Sequence, residues 1–221
     1  DKMWQMKGDM SGAAAVLYAM EAIATLQLPI RVTAVICTSQ NYVDACSVVP
    51  GDIFTARNGK TVMVDNTDAE GRLVLTDGLY RLGEEQVTHL VDVATLTGAC
   101  MRALGNAVSG AFGNDDFCDF VVDVAGSQGE PCWRLPIIEE YRPWLDTEIA
   151  NLNNMSSVPL LAGATVAALF LREFVPSGVH WTHLDIAGTF FKDKQEKYYR
   201  TGATGIMTRT LAVLADRLSA N

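Results

Sequence analysis

Several features are scarce or missing in this sequence of 221 residues, and each absence narrows the class of protein. It has no apolar run long enough to cross a bilayer and no secretory signal pattern at its start, so we expect a cytoplasmic protein without a membrane anchor. Its 17 lysines and arginines are outnumbered by 26 aspartates and glutamates, and this net charge of −9 argues against a nucleic-acid partner. With no repeat or linker-like tract either, residues 1–221 are expected to form one domain.

Histidine and cysteine are also sparse. The two neighbouring histidines, His180 and His183, are three residues apart in a pattern that alternates like a strand, so they should lie on opposite faces and not form a zinc site together. No Cys-x-x-Cys pair occurs, and an odd, scattered set of thiols predicts reduced and mostly buried cysteines. These are Cys37, Cys46, Cys100, Cys118 and Cys132.

What the chain does contain is an alternation of helical and strand patterns. Apolar residues make up 49% of it, which is ample for a core. We predict strands at 31–37, 53–56, 61–64, 90–93 and 179–186, and helices at 12–26, 73–82, 115–126, 137–145, 162–174 and 203–218. Asn58-Gly59 indicates a hairpin turn between the second and third strands. The predicted fold class is α/β, with a mixed and mainly covered β-sheet sandwiched between helices.

The most informative segment is residues 66–72, with the sequence NTDAEGR. It lies between a predicted strand and a predicted helix, where α/β proteins commonly place their functional groups. Asp68 and Glu70 offer hard oxygen ligands for divalent cations, Gly71 permits a tight turn, and Arg72 adds a permanent positive charge. The segment therefore reads as a candidate active site.

Simpler interpretations exist for the same residues. Clusters of Asp, Asn and Gly between a strand and a helix are most often turn and helix-cap chemistry. Asp9, just before a Ser-Gly-Ala helix start, is by itself better explained as a charge partner of the helix dipole than as a metal ligand. Asp65 and Asp77 lie on either side of the segment. They are expected to be solvated or to hydrogen-bond to metal ligands without contacting the metal.

Three stretches in this order resemble the leucyl aminopeptidase family of dinuclear metallo-exopeptidases. They are residues 6–15 (MKGDMSGAAA), 66–73 (NTDAEGRL) and 92–99 (DVATLTGA), and the middle one matches the signature of the family at all eight positions. The resemblance continues through residues 133–136, 152–154, 162–164 and 183–188 and so covers essentially the whole chain. In this family the corresponding region is the catalytic domain.

The resemblance implies roles for four acidic and basic residues. Asp9, Asp68 and Glu70 match metal ligands, and they would help to hold two divalent ions per subunit, zinc or manganese. Arg72 matches the arginine that holds a bicarbonate ion and acts in catalysis, although an ordinary helix-face or salt-bridge arginine is the alternative.

The resemblance also implies a pocket for the N-terminal residue of a peptide. Thr95, Leu96 and Gly98 match the loop that lines this pocket, and Met6 matches another of its walls. Without the family, residues 95–98 would be an ordinary strand end and Met6 an ordinary core residue. Lys7 is a nearby cation, but the catalytic lysine of the family is a different residue.

The chain departs from the family in several places. A block of the type Gly-Lys-Gly-x-x-x-Asp-x-Gly-Gly-x-x-x-Lys, which supplies a lysine and an aspartate to the metals and a catalytic lysine, does not occur in residues 1–221, and the smaller N-terminal domain of the family is missing too. Ser11 stands where Gly is usual, and residues 41–49 differ from the usual run. The chain is therefore either a fragment or a derived protein that lost activity.

The resulting hypothesis is a metal-dependent aminopeptidase that removes apolar, leucine-like N-terminal residues from peptides and forms a homohexamer. The alternative is a catalytically inactive structural or regulatory relative. A third possibility, a dinuclear phosphoesterase, lacks a histidine-rich ligand set.

Overall fold

The structure is a computed structural model that describes residues 3–114, 116–196 and 198–220. The α-helices of this part of the chain are α1 (Ser11–Thr25), α2 (Glu70–Glu84), α3 (Gly98–Leu104), α4 (Asp116–Ser127), α5 (Gly163–Arg172) and α6 (Thr208–Ser219). Its strands are β1 (Ile53–Thr55), β2 (Thr61–Met63), β3 (His89–Ala94), β4 (Ser109–Gly113), β5 (Cys132–Arg134), β6 (Leu152–Asn153), β7 (His180–Asp185), β8 (Phe191–Lys192) and β9 (Gly202–Ala203). Short 3₁₀-helices cover Met3–Gly8, Thr67–Ala69 and Glu139–Leu145.

The main sheet has four strands in the order β3-β7-β4-β5 and is mixed, as predicted. β3 and β7 are parallel, β4 is antiparallel to β7, and β5 is parallel to β4. A smaller sheet has the order β1-β2-β6, with β6 parallel to β2, and β8 pairs with β9. Parallel pairing between strands distant in sequence requires helical crossovers, and these place helices over the sheet.

Two apolar clusters show that the main sheet is covered on both faces. Phe112 and Trp181 belong to a cluster that includes side chains of α2 and α5. Ala111 and Leu184, which point to the opposite face, belong to a second cluster with side chains of α1, α4 and α6. Because successive residues of a strand point to opposite faces, this division confirms a sheet that lies between two helical layers.

The predicted strand at residues 31–37 is wrong: the structure forms no strand there. Residues 30–37 and β3 line the same cavity of about 540 Å³, and among the described residues no strand pairs with this segment. The helix predicted at 137–145 is also different, since residues 139–145 form a 3₁₀-helix that contains Pro143, and proline removes a helical hydrogen-bond donor. The other predicted elements are present with shifts at their ends; position 115, where one predicted helix starts, lies outside the described residues.

At two positions the local geometry of the chain requires glycine. Gly59, at φ +85°, forms the turn of the predicted β1–β2 hairpin. Gly12, in the first turn of α1, lies so close to β3 that a Cβ atom there would be 1.9 Å from the carbonyl oxygen of Val93. Ser11 beside it donates a 2.7 Å hydrogen bond to the carbonyl oxygen of Gly8. The start of α1 is therefore held against the carboxyl end of β3.

No helix of the described residues is long and apolar enough to cross a membrane.

Candidate active site

The NTDAEGR segment combines turn chemistry with available carboxylates. The Asn66 side chain accepts a 2.9 Å hydrogen bond from the backbone N–H of Asp68 and caps the 3₁₀-helix Thr67–Ala69, so this part of the simpler interpretation is correct. Glu70 begins α2, and its Oε2 atom is buried without a hydrogen-bond partner among the described residues. A buried oxygen in this state usually has a ligand or a water that satisfies it. The cap therefore explains Asn66 but leaves the carboxylates free for chemistry.

The three predicted acidic ligands converge on one place although they come from different elements. Burial raises the pKa of Glu70 above its ordinary value, and the negative charges of Asp9 and Asp68 raise it further. Asp9 lies between the 3₁₀-helix Met3–Gly8 and α1, whereas Asp68 and Glu70 follow β2. The burial of the Glu70 carboxylate near two other negative charges is an electrostatic condition that a divalent cation relieves.

These donors fit a divalent cation in kind, because carboxylate oxygens are hard ligands and one buried oxygen of Glu70 has no hydrogen-bond partner among the described residues. Over residues 3–114, 116–196 and 198–220, however, no group of three or more His, Cys, Asp or Glu side chains is arranged to hold a metal ion. The donor set in this chain is therefore of the right chemistry but is not assembled into a complete coordination shell.

Arg72 points into the protein and is not a surface residue of α2. It is 7% exposed, and its Nη1 atom donates a 2.8 Å hydrogen bond to the backbone carbonyl of Asn154. Burial lowers the pKa of Arg72 to about 10, although the charges of Asp185 and Glu70 act in the opposite direction. Its Nε atom is buried and has no hydrogen-bond partner among the described residues. Arg72 thus keeps its charge at neutral pH and has a donor available for an anion.

The loop after β3 meets the acidic residues directly. The Thr95 hydroxyl donates a 2.6 Å hydrogen bond to Oδ1 of Asp9, and the Leu96 side chain lies against Gly71 at the start of α2. Gly98 begins α3 and is exposed, as is Met6. Met6 is 56% exposed, so the interpretation of it as an ordinary core residue is wrong. The loop therefore contacts Asp9 through Thr95 and the start of α2 through Leu96.

Two buried residues that hold this arrangement were not singled out from the sequence. Asp185, 1% exposed at the end of β7, accepts hydrogen bonds from the backbone N–H groups of Leu96 (3.2 Å) and Thr97 (3.3 Å) and from the Thr97 hydroxyl (2.7 Å). Asn154, fully buried after β6, accepts from the backbone N–H of Asp65 at 2.8 Å and donates to the backbone carbonyl of Asn66 at 2.7 Å. Both positions lie inside stretches that carry the family resemblance, and this was the available signal.

The histidines are separated as predicted. His183 is buried, and its Nδ1 atom is 2.6 Å from Oδ1 of Asp92, whose Oδ2 accepts a 2.8 Å hydrogen bond from the Trp181 indole. Burial by itself lowers the pKa of His183, but the charge and hydrogen bond of Asp92 outweigh it, so the pKa is raised. His180 is exposed and stacks on His89 instead.

Of the cysteines, Cys100, Cys118 and Cys132 are buried, as expected for reduced thiols.

The fold and the site together define an α/β protein with an acidic site at the carboxyl ends of its strands, next to a buried arginine. The model of the cytosol aminopeptidase family, catalytic domain, matches residues 1–212. The chain belongs to this family, and the resemblance read from the sequence is confirmed.

Individual relatives agree with this assignment. A probable cytosol aminopeptidase of Alkaliphilus metalliredigens is 46% identical over 214 residues, which are 96% of this chain and 42% of the relative. One from Rhodococcus erythropolis is 41% identical over 220 residues, which are 99% of this chain and 43% of the relative. Among solved structures, a mutant of tomato leucine aminopeptidase superposes with a TM-score of 0.86 at 43% identity, covering 96% of this chain and 41% of that one. The chain thus spans less than half the length of these relatives.

Proposed function

We propose that residues 1–221 form one catalytic domain of a metal-dependent aminopeptidase that removes apolar, leucine-like residues from the N-termini of peptides. The observation that carries the proposal is the convergence of Asp9, Asp68 and Glu70, with an unsatisfied buried oxygen on Glu70. The names of the relatives, cytosol aminopeptidase and leucine aminopeptidase, support the reaction class and a cytoplasmic location.

Two divalent ions per subunit, zinc or manganese, would be held in part by these three carboxylates. When bound, such a pair of ions activates a water molecule and polarises the scissile carbonyl. Glu70 is the central ligand in this proposal, since its charge is disfavoured by burial and by both neighbouring carboxylates until a cation is present. Further ligands must come from groups outside the three.

Arg72 would supply a fixed positive charge beside the reacting carbonyl. Its guanidinium is held by the backbone carbonyl of Asn154, so its orientation is set before a substrate binds. The Nε–H group, which has no hydrogen-bond partner among the described residues, would hold a bicarbonate ion, and that ion would supply a general base beside the reacting carbonyl. A pKa of about 10 keeps this donor protonated at neutral pH.

The substrate's first residue would lie against Met6, Thr95, Leu96 and Gly98. Thr95 contacts Asp9, Leu96 lies against Gly71, and Leu96 and Met6 would offer apolar contact for a leucine-like side chain. We also propose a homohexamer as the assembled form, with peptides as substrates and with no nucleic-acid or membrane partner.

One observation favours the second candidate, an inactive relative. The described residues contain no group of three or more His, Cys, Asp or Glu side chains arranged for a metal ion. A protein that keeps the fold and the carboxylates but lacks these groups would bind metal weakly. The two candidates therefore differ in metal content and turnover.

The test starts from the purified protein, whose mass under denaturing conditions, metal content and hydrolysis of a leucine anilide are measured together. In an active protein, Glu70→Ala should lower turnover by at least about 100-fold and reduce bound metal. Asp77→Asn is the matched control, because Asp77 is an exposed carboxylate of the same helix that receives a hydrogen bond from the backbone N–H of Arg57, and an asparagine oxygen can still accept it.

Wild-type turnover in Glu70→Ala would contradict the assignment of the site. A wild-type protein without metal and without turnover would favour the inactive relative. Hydrolysis of a phosphate monoester but not of the leucine anilide would favour the phosphoesterase.

A further inference from the structure

A buried histidine–aspartate pair lies in the main sheet and has no part in the proposed reaction. His183 on β7 and Asp92 on β3 are register partners, and the Nδ1 atom of His183 is 2.6 Å from Oδ1 of Asp92. His183 is 1% exposed, and its Nε2 atom is buried without a hydrogen-bond partner among the described residues. The pair is therefore a titratable group inside the protein, where solvent screens its charge only weakly.

His183 faces the same helical layer as Arg72. Alternate residues of a strand share a face, so Trp181, His183 and Asp185 of β7 form one row on the sheet. Trp181 and Leu79 of α2 belong to the same apolar cluster, and this contact places the row under α2. Arg72 and Leu79 are both buried residues of α2, and they are two turns, or roughly 10 Å, apart along the helix.

The direction of α2 determines which end of this row Arg72 approaches. The start of α2 lies at the carboxyl end of β3, since a Cβ atom at Gly71 would be 3.4 Å from the side chain of Leu96 just after that strand. The end of α2 leads within a few residues to the amino end of β3, to which β7 is parallel. Leu79 therefore lies toward Trp181, and Arg72 lies toward the His183 and Asp185 end of the row.

The charged groups around His183 are few. Three of them act on its charge from the surrounding elements, namely Asp92 on β3, Asp185 on β7 and Arg72 on α2. On β4 the Phe112 ring stacks on it with 6.1 Å between ring centroids, and the buried residues of α5 carry no charge. Beyond Asp92 lies Cys37, whose pKa is raised by burial and further by the charge of that aspartate. Arg72 is thus the cation among the groups that act on His183.

The net charge of the pair depends on the proton of His183. When His183 is protonated, the pair carries no net charge, and when the proton leaves, the negative charge of Asp92 is uncompensated. Arg72 then lies near two carboxylates, Asp92 and Asp185, and an anion at its Nε–H group is repelled by both. Because the pKa of His183 is raised in the folded protein, this change takes place above pH 6.5, as the pH rises through the folded-state value.

We propose that protonation of His183 controls the affinity of Arg72 for its anion, which binds tightly while the histidine is charged and weakly once it is neutral. The proposal rests on the proposed function, in which Arg72 holds a bicarbonate ion. His183 is a positioning residue in this scheme, because it acts through the charge of Arg72 and touches neither anion nor substrate. By linkage the effect is reciprocal, so an anion at Arg72 raises the pKa of His183.

The small number of histidines makes this coupling measurable by NMR. The chain has 3 histidines, and their imidazole resonances are followed from about pH 5 to about pH 9, with and without sodium nitrate. Nitrate is the probe because it is planar and singly charged like bicarbonate but does not titrate in this range. The Nε–H resonance of Arg72 reports directly whether nitrate binds at the guanidinium.

We expect nitrate to bind at Arg72 about fivefold more tightly below the pKa of His183 than above it. Saturating nitrate should accordingly raise the pKa of His183 by about 0.7, which is the same factor on a logarithmic scale. His89 and His180 are exposed register partners at the amino ends of β3 and β7. They are the internal controls for general effects of salt, and their pKa values should not respond to nitrate.

Two variants separate the charges from the structure. Arg72→Met removes the cation near His183, so the pKa of His183 should rise and should no longer respond to nitrate. Arg72→Lys is the matched control, because it keeps a positive charge at this position and should leave the pKa of His183 near its wild-type value. His183→Asn keeps an N–H donor for Asp92 but takes up no proton, so nitrate should bind with the weaker affinity at every pH.

Nitrate binding at Arg72 with the same affinity on both sides of the His183 pKa would overturn the proposal and leave the anion role of Arg72 intact. An Arg72 Nε–H resonance that does not respond to nitrate at any pH would overturn both. A His183 resonance that does not titrate in the folded protein would also overturn the proposal. If a variant does not fold, the two wild-type titrations decide, because they measure the same coupling from its two ends.

Discussion

The candidate active site has an inner and an outer half that are built in opposite ways. The inner half consists of Asp185, Asn154 and Arg72, all buried, whose hydrogen bonds reach residues more than 80 positions away. The outer half includes Asp9 and Asp68, which are exposed and have few hydrogen bonds to the protein. The inner half therefore fixes the shape of the loops, and the outer half is left available for metal and substrate.

This difference predicts that stability and function respond to different residues. Within the inner half, a change at Asp185 or Asn154 should destabilise the fold before it affects any specific chemical step, whereas Arg72 is the residue of this half with a proposed role in the reaction. A change in the outer half should leave the free energy of unfolding nearly constant and alter binding. Asp185→Ala and Met6→Ala test the contrast, and Asp92→Asn tests a buried ion pair outside both halves. The three are ordered by the expected effect on stability.

Asp185→Ala should have the largest effect. It removes the acceptor of the backbone N–H groups of Leu96 and Thr97 and of the Thr97 hydroxyl, and it leaves these donors unsatisfied next to α3. We expect a loss of about 4 kcal/mol in the free energy of unfolding, measured by urea denaturation. Asp216→Ala, at an exposed position of α6, is the control and should change stability by less than about 0.5 kcal/mol. A loss below 1 kcal/mol in Asp185→Ala, by contrast, would show that the loop is held in another way.

Asp92→Asn should have an intermediate and pH-dependent effect, because it removes the charge that pairs with His183. Since the pKa of His183 is raised in the folded protein, the pair contributes its full stability below the ordinary histidine value of 6.5 and loses it as pH rises through the folded-state pKa. The variant should therefore be less stable by about 3 kcal/mol at mildly acidic pH, and the difference should shrink at alkaline pH. Denaturant midpoints over a pH series measure this, and a difference independent of pH would show that His183 does not change its charge over that range.

Met6→Ala should have the smallest effect on stability. The side chain is more than half exposed, so the free energy of unfolding should change by less than about 0.5 kcal/mol. If Met6 forms a wall of the substrate pocket, KM for a leucine amide should rise more than KM for an alanine amide, with kcat nearly constant. An equal change for both substrates would place Met6 outside the pocket.

The sequence was sufficient for features that depend on neighbouring residues. The turn at Asn58-Gly59, the cap at Asn66 and most helices follow from local backbone chemistry, and the structure contains them. The eight-residue signature beginning at Asn66 also pointed to the correct family, because it places ligand-type residues on one short loop. Local patterns thus located the outer half of the candidate site.

Features that depend on distant partners were not predictable in the same way. Asp185 and Asn154 act through contacts that only the folded chain brings together, and neither differs in local pattern from an ordinary strand end. Residues 31–37 have a genuine strand composition, but a strand needs a partner, and the cavity beside β3 leaves them without one. The prediction at 31–37 failed because it depended on pairing that the local pattern cannot reveal.

Gly12 allows α1 and β3 to approach each other unusually closely. With only a hydrogen atom on its Cα, the helix approaches the carbonyl oxygen of Val93 to a distance that any side chain would forbid. The lack of a side chain at Gly12 thus sets the distance between α1 and β3. Asp9 lies three residues before Gly12, and Thr95 lies two residues after Val93. The close contact of Gly12 with Val93 therefore brings Asp9 and Thr95 close enough to form their 2.6 Å hydrogen bond. The position of the exposed Asp9 carboxylate therefore depends on the absence of a Cβ atom at Gly12.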